Sequence, residues 1–183
     1  FHLTFVGHIL APFALVPLLR FFNTGVHIGE VQVFPAMGIN GHFASLWITH
    51  TMFAMPLAIF LLHNFIAQLP RDLFEAARVD GANTFLIFRR IVLPLAAPSI
   101  ASFAIFEFLW VWNDLLVSLT FVGGGKDSVS PLTTRLAQLV GNFGSAWELL
   151  APSAFVAIII PLIVFFALQR YFVRGLLAGS VKG

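Results

Sequence analysis

Four long apolar runs, separated by polar stretches, set the pattern of the chain: Phe5–Leu19, Phe43–Ile66, Leu93–Val122 and Leu149–Leu168. Phe43–Ile66 holds no formally charged side chain. At 1.5 Å per residue its length is enough to cross a hydrocarbon layer of about 30 Å. Pro56 sits inside it, which a membrane helix tolerates because its neighbours satisfy the freed carbonyl. Phe5–Leu19 carries Pro12 and Pro17 and stops at Arg20, so it reads as a kinked or truncated span that needs Phe1–Thr4 and Phe21–Phe22 to reach full length. Leu93–Val122 has Pro94 and Pro98 near its start and Glu107 and Asp114 further along. The pattern predicts an all-α polytopic membrane protein with four transmembrane helices in this sequence. The Gly-rich segment 23–42 is read as a loop that could hold a short helix. The segment 123–148 is a second loop, with a helix expected over Pro131–Val140 and Trp147 at a membrane interface.

The polar interruption from Leu69 to Leu93 has a different character. It contains Arg71, Arg78, Arg89 and Arg90 together with Asp72, Glu75 and Asp80. It is also punctuated as helix. Pro70 suits a first helical position, where the missing N–H costs nothing. Leu73, Phe74, Ala77 and Ala76 then gather on one side at helical spacing. Asp80-Gly81 closes the turn, since glycine accepts the left-handed cap conformation. Asn83 or Thr84 can cap a second short helix carrying Phe85, Phe88 and Val92. A short amphipathic helix presented at a membrane surface calls for something to cover its apolar side, either a protein groove or the lipid headgroups.

Composition agrees with a lipid environment. Of 183 residues, 59% are hydrophobic and 10% charged, against about 25% charged in soluble domains, and the mean hydropathy is +0.94. The formal charge of +2 gives no basic patch for nucleic acid. The absence of cysteine removes disulfide and thiolate chemistry. The chain begins at Phe1 without a leader pattern, and is read as a piece whose N-terminal part lies outside this sequence.

Glu75-Ala76-Ala77, then Asp80-Gly81-Ala82, then Ile91-Val92-Leu93-Pro94 and Pro98, resemble the EAA loop of binding-protein-dependent ABC importer permeases. The wording Phe74-Glu75-Ala76-Ala77-Arg78-Val79-Asp80-Gly81-Ala82 is most similar to the sugar-importer branch. Trp112-Asn113-Asp114 and the tail from Gln169 to Gly183 resemble the same branch, and the likeness runs from about Pro12 to the end. It implies a single permease domain over 1–183, belonging to a core of usually six helices, with a cytoplasmic coupling helix in the loop 69–93. It implies these partners: a cytoplasmic ATPase dimer that binds ATP and Mg, a second related permease subunit, and an extracytoplasmic sugar-binding protein. Glu75, Ala76, Ala77, Asp80, Gly81 and Ala82 would then couple to the ATPase. Glu75 would touch it by charge-assisted hydrogen bonds, and the two alanines would keep the helix slim enough for a cleft. Against this stands a solvated Glu75 paired with Arg78, worth about 0.2–0.5 kcal/mol.

Charge distribution gives the orientation independently. Four Lys/Arg lie in the loop 69–93 and three after Leu168 (Arg170, Arg174, Lys182), while Arg20, Lys126 and Arg135 are divided between the other two loops. The positive-inside rule therefore places the loop 69–93 and the C-terminus in the cytoplasm, and the loops 23–42 and 123–148 outside; the resemblance implies that the membrane is the cytoplasmic (inner) membrane of a prokaryote.

No catalytic or cofactor site is expected. The one glycine-rich candidate, Gly123-Gly124-Gly125-Lys126-Asp127, lacks the hydroxyl residue after the lysine that a phosphate loop needs, and has Thr120 where the first glycine belongs. The six histidines show no metal-ligand spacing. Glu107, about mid-membrane, is a candidate for the solute path because an ionisable group there is costly, or else bonds a neighbouring helix. Trp112, Asn113 and Asp114 offer an aromatic face, an amide and a carboxylate, groups that suit a sugar. The competing readings are a permease for another polar solute and a proton-coupled secondary transporter using Glu107.

Overall fold

A computed structural model describes residues 2–122, 130–141 and 147–180 of the 183. The protein is almost entirely helical. Helix α1 spans His2–Thr24, α2 Phe43–Ala67, α3 Arg71–Val79, α4 Thr84–Ile87, α5 Leu93–Asn113, α6 Leu116–Phe121, α7 Leu132–Gly141 and α8 Trp147–Ser180. A π-helical turn, Phe88–Val92, joins α4 to α5. Among the described residues, three stretches are long and apolar enough to cross a membrane: Phe43–Ala67, Thr84–Asn113 and Glu148–Gln169. The apolar part Phe13–Thr24 of α1 is shorter, although the helix as a whole has 23 residues. The third apolar run thus begins its helix at Thr84 rather than Leu93, and breaks after Asn113. The helix expected over Pro131–Val140 forms as α7, one residue later at each end. The expected loop 123–148 is described only at 130–141 and from 147. Gly123–Asp127 and residues 181–183 of the tail lie outside the described residues, whereas the backbone of Gly175–Ser180 continues α8.

One departure concerns the segment 23–42, which holds a hairpin and no helix. Strand β1 (Val26–Ile28) pairs antiparallel with β2 (Val31–Phe34), with Ile28 opposite Val31 and the turn at Gly29-Glu30. Val26, Ile28, Val31 and Val33 are β-branched residues, which favour extended backbone.

The chain divides into two compact units. One comprises Phe1–Pro56 and Leu109–Leu162, the other Leu57–Phe108 and Ile163–Gly183. In the first, Leu15, Phe22, Leu46, Val117, Phe121 and Val122 form the core. The rings of Phe22 and Phe121 lie 5.4 Å apart at 52°, a tilted arrangement that aromatic pairs favour. The buried residues of α2 there, Ser45, Leu46, Thr49, His50 and Ala54, recur at helical spacing. Most are small, which lets a neighbouring backbone approach closely.

Among the described residues of the second unit the buried positions are Ile87, Val92, Ala96, Ser99, Ser102 and Ile105. From Val92 onward the steps are three or four residues, as an α-helix requires. The step from Ile87 to Val92 is five. The π turn spans it, with Leu93 N–H donating to the Phe88 carbonyl five residues back, so the two segments bury one continuous face. Pro94 favours such an irregularity, because its ring would crowd the Arg90 carbonyl of a regular helix and it has no N–H to offer it.

Candidate functional site

The Leu69–Leu93 segment folds as two helices joined by four residues, each with a distinct capping role. Pro70 stands one position earlier than expected, as the N-cap of α3 with ψ 133°. It therefore leaves the first helical place to Arg71. At the other end Asp80 is the C-cap, with its N–H bonded to the Ala76 carbonyl at 3.0 Å. Gly81 follows at φ +79°. Its N–H reaches the Arg78 carbonyl at 3.0 Å, and Ala82 N–H reaches the Ala77 carbonyl at 2.9 Å. These two bonds define a Schellman motif and satisfy carbonyls that the helix end would otherwise orphan. Asn83 then caps α4, its side-chain oxygen accepting the Leu86 N–H at 2.8 Å. Of the two capping candidates, Asn83 fills the role.

No residue of α3 is buried within the chain. Glu75 and Ala76 are exposed and Ala77 is half-buried. Among the described residues no ion pair joins Glu75 to Arg78. Exposed apolar side chains surround these groups. Val79 is 88% exposed and Phe85 70%, and Leu73 and Phe88 are exposed as well. The result is a short rod, capped at its C-terminal end, with uncovered alanine, aliphatic and aromatic surface beside a row of charges.

The other candidate residues lie along α5 and just beyond it. Glu107 is half-buried in the second unit. Trp112, Asn113 and Asp114 belong to the first. The Trp112 indole N–H donates to the Ala157 carbonyl of α8 at 2.9 Å. The Asn113 amide donates to the Leu109 carbonyl at 2.7 Å, within its own helix. Asp114 lies between α5 and α6. Its carboxylate accepts the N–H groups of Val117 (3.2 Å) and Ser118 (3.0 Å) and the Ser118 hydroxyl (3.2 Å). Its own carbonyl accepts the Thr133 hydroxyl of α7 at 2.6 Å.

His50 of α2 comes within 3.7 Å of the same carboxylate, both side chains being over nine-tenths buried. That is an ion-pair distance and too long for a hydrogen bond. The sequence reading did not join His50, Ser118 or Thr133 to Asp114. An Asp just ahead of an apolar run is a visible helix-start signal, but the contacts from α2 and α7 carry no local signal.

Sequence comparison gives the lineage of this arrangement. Residues 3–177 match the family described as binding-protein-dependent transport system inner membrane component. Over 181 residues the chain is 55% identical to the alpha-glucoside transport system permease protein AglG of Rhizobium meliloti, covering 97% of this chain and 45% of that protein. It is 51% identical over 180 residues to the osmoprotective compounds uptake permease protein GgtD of Synechocystis, covering 98% and 60%. It is 38% identical over 171 residues to the melibiose/raffinose/stachyose import permease protein MelC of Bacillus subtilis, covering 93% and 57%. The chain therefore spans about half the length of the curated relatives it matches. With a membrane-helix architecture, a doubly capped exposed loop and a family match over nearly its whole length, the chain belongs to the binding-protein-dependent transport system inner membrane components.

Proposed function

We propose that this protein is one of two permease subunits of an ATP-driven importer for a sugar or oligosaccharide. The observation that carries the reading is the exposed helix α3, closed at its C-terminal end by the Gly81 turn and bearing Glu75-Ala76-Ala77 with no cover from the chain itself. Its apolar and charged surface fits a cleft in a cytoplasmic ATPase, which would bind ATP and Mg. Hydrolysis would be the work of that partner. Closure of the ATPase dimer would move the coupling helices together, and the transmembrane cavity would switch its opening by rigid-body motion. A binding protein would deliver the solute on the opposite side, where the hairpin and α7 are assigned by the charge count.

The solute assignment rests on relatives named for alpha-glucoside and melibiose/raffinose/stachyose transport. In this chain Glu107 and the Trp112–Asp114 segment are the candidate solute contacts. Because the Trp112 N–H is already committed to Ala157, the indole would offer a sugar its face. A second reading, a permease for another polar solute, is favoured by the relative named for osmoprotective compounds.

The test is purification of the whole assembly with its ATPase and binding protein, followed by a panel of sugars and osmoprotective polyols. Sugar-dependent stimulation of ATP hydrolysis and uptake is expected. The double variant Glu75→Lys/Gly81→Asp should insert into the membrane, lose the ATPase and abolish transport. Normal uptake by that variant, or uptake by the permease without any ATPase, would overturn the reading.

A further inference from the structure

Trp112 contacts α8 at a chemically specific place. Its indole Nε1–H donates to the carbonyl of Ala157 at 2.9 Å, and the residue four positions after Ala157 is Pro161. In a regular helix the Ala157 carbonyl would accept the N–H of residue 161, and proline has none. The indole thus supplies from α5 the hydrogen bond that the sequence of α8 withholds. An unmet carbonyl in a membrane interior is costly, so this bond answers a real deficit.

We propose that Trp112 is a positioning residue that braces α8 across its proline break. While the indole holds the Ala157 carbonyl, the two halves of α8 keep one angle. When it lets go, the helix has a soft joint at Pro161. This goes beyond any solute contact by the indole face. Its link to transport rests on the importer reading, in which the helices must change angle as the cavity switches.

The chain has no cysteine, so two labels can be placed cleanly. Phe155→Cys and Phe166→Cys are at exposed positions of α8 on either side of Pro161, about 16 Å apart along the helix. The distance between spin labels there is read in the complete assembly in lipid. Relative to the labelled parent, Trp112→Phe should widen the distance distribution, since the ring stays and the donor is lost. Pro161→Ala restores an N–H to Ala157, so Trp112→Phe added to it should leave a narrow distribution.

In uptake assays Trp112→Phe should lower the maximal rate at least threefold with little change in half-saturating solute concentration, and should add nothing further to Pro161→Ala. Equal broadening by Trp112→Phe in both backgrounds, or none in either, would overturn the brace. A change confined to half-saturation would assign the indole to the solute instead and also overturn it. The label distance needs no transport, so absence of ATP-driven uptake by the parent assembly would count against the importer reading alone.

Discussion

Ala82 donates its backbone N–H to the carbonyl of Ala77 over 2.9 Å, a bond that reaches back five residues. It closes the end of α3 around Gly81 and delivers the chain directly to Asn83, which begins α4. The run Glu75-Ala76-Ala77-Arg78-Val79-Asp80-Gly81-Ala82 is thereby explained as geometry. Two of its alanines are the paired ends of a helix stop, and its glycine is the one residue that must turn left-handed.

Substitution at Gly81 should act through the backbone alone, because a Cβ there would meet nothing within 4 Å. A side chain at φ +79° costs about 1–2 kcal/mol, and less for Asn. Gly81→Val should therefore raise amide exchange across residues 71–87 more than Gly81→Asn, and uptake should fall in the same order.

Asn83 caps α4 through one side-chain oxygen. Asn83→Ala should destabilise the turn by about 1 kcal/mol, and Asn83→Asp or Asn83→Ser should retain most of that. Faster exchange of the Leu86 amide in the alanine variant is the measurement. Unchanged exchange would show that the cap contributes nothing in the membrane.

Phe85 is 70% exposed beside the capped turn. If a partner covers it, Phe85→Ser should weaken ATPase association by roughly 2 kcal/mol, about thirtyfold in Kd, as truncation of an interface anchor does. Binding of the purified ATPase to the permease pair checks this, with membrane insertion scored separately.

Asp114 organises the start of α6. Asp114→Ala leaves two first-turn N–H groups and the Ser118 hydroxyl without their acceptor, and should cost about 1–3 kcal/mol in thermal unfolding of the detergent-solubilised complex. Asp114→Asn keeps one acceptor and should lose less. Thr133→Val removes a single bond and should lose about 1 kcal/mol.

What the chain disclosed in advance follows the range of the forces involved. Helix α2 was legible to within a residue, Phe43–Ile66 against the observed Phe43–Ala67, because an uncharged run bounded by polar residues depends only on local composition. Gly81 and Asn83 were legible because caps are contacts over two to five positions. The break after Asn113 was missed because the apolar run continues to Val122, and burial rather than propensity decides where Asp114 turns its carboxylate. The hairpin was hidden by the glycines and polar residues around it. The pairing of Trp112 with Ala157, 45 residues away, and of His50 with Asp114 could not be read from either neighbourhood alone.

The carbonyl of Phe22 accepts both the Met37 and the Gly38 N–H at 3.1 Å, and any side chain on Gly25 would collide with the Phe34 carbonyl. The hairpin is therefore a closed finger, pinched at its root and anchored to a fully buried ring. Residues added at its tip should not disturb what lies beneath. A short antibody tag inserted between Gly29 and Glu30 should leave folding intact and, stained on unbroken spheroplasts, report which side of the membrane this finger occupies.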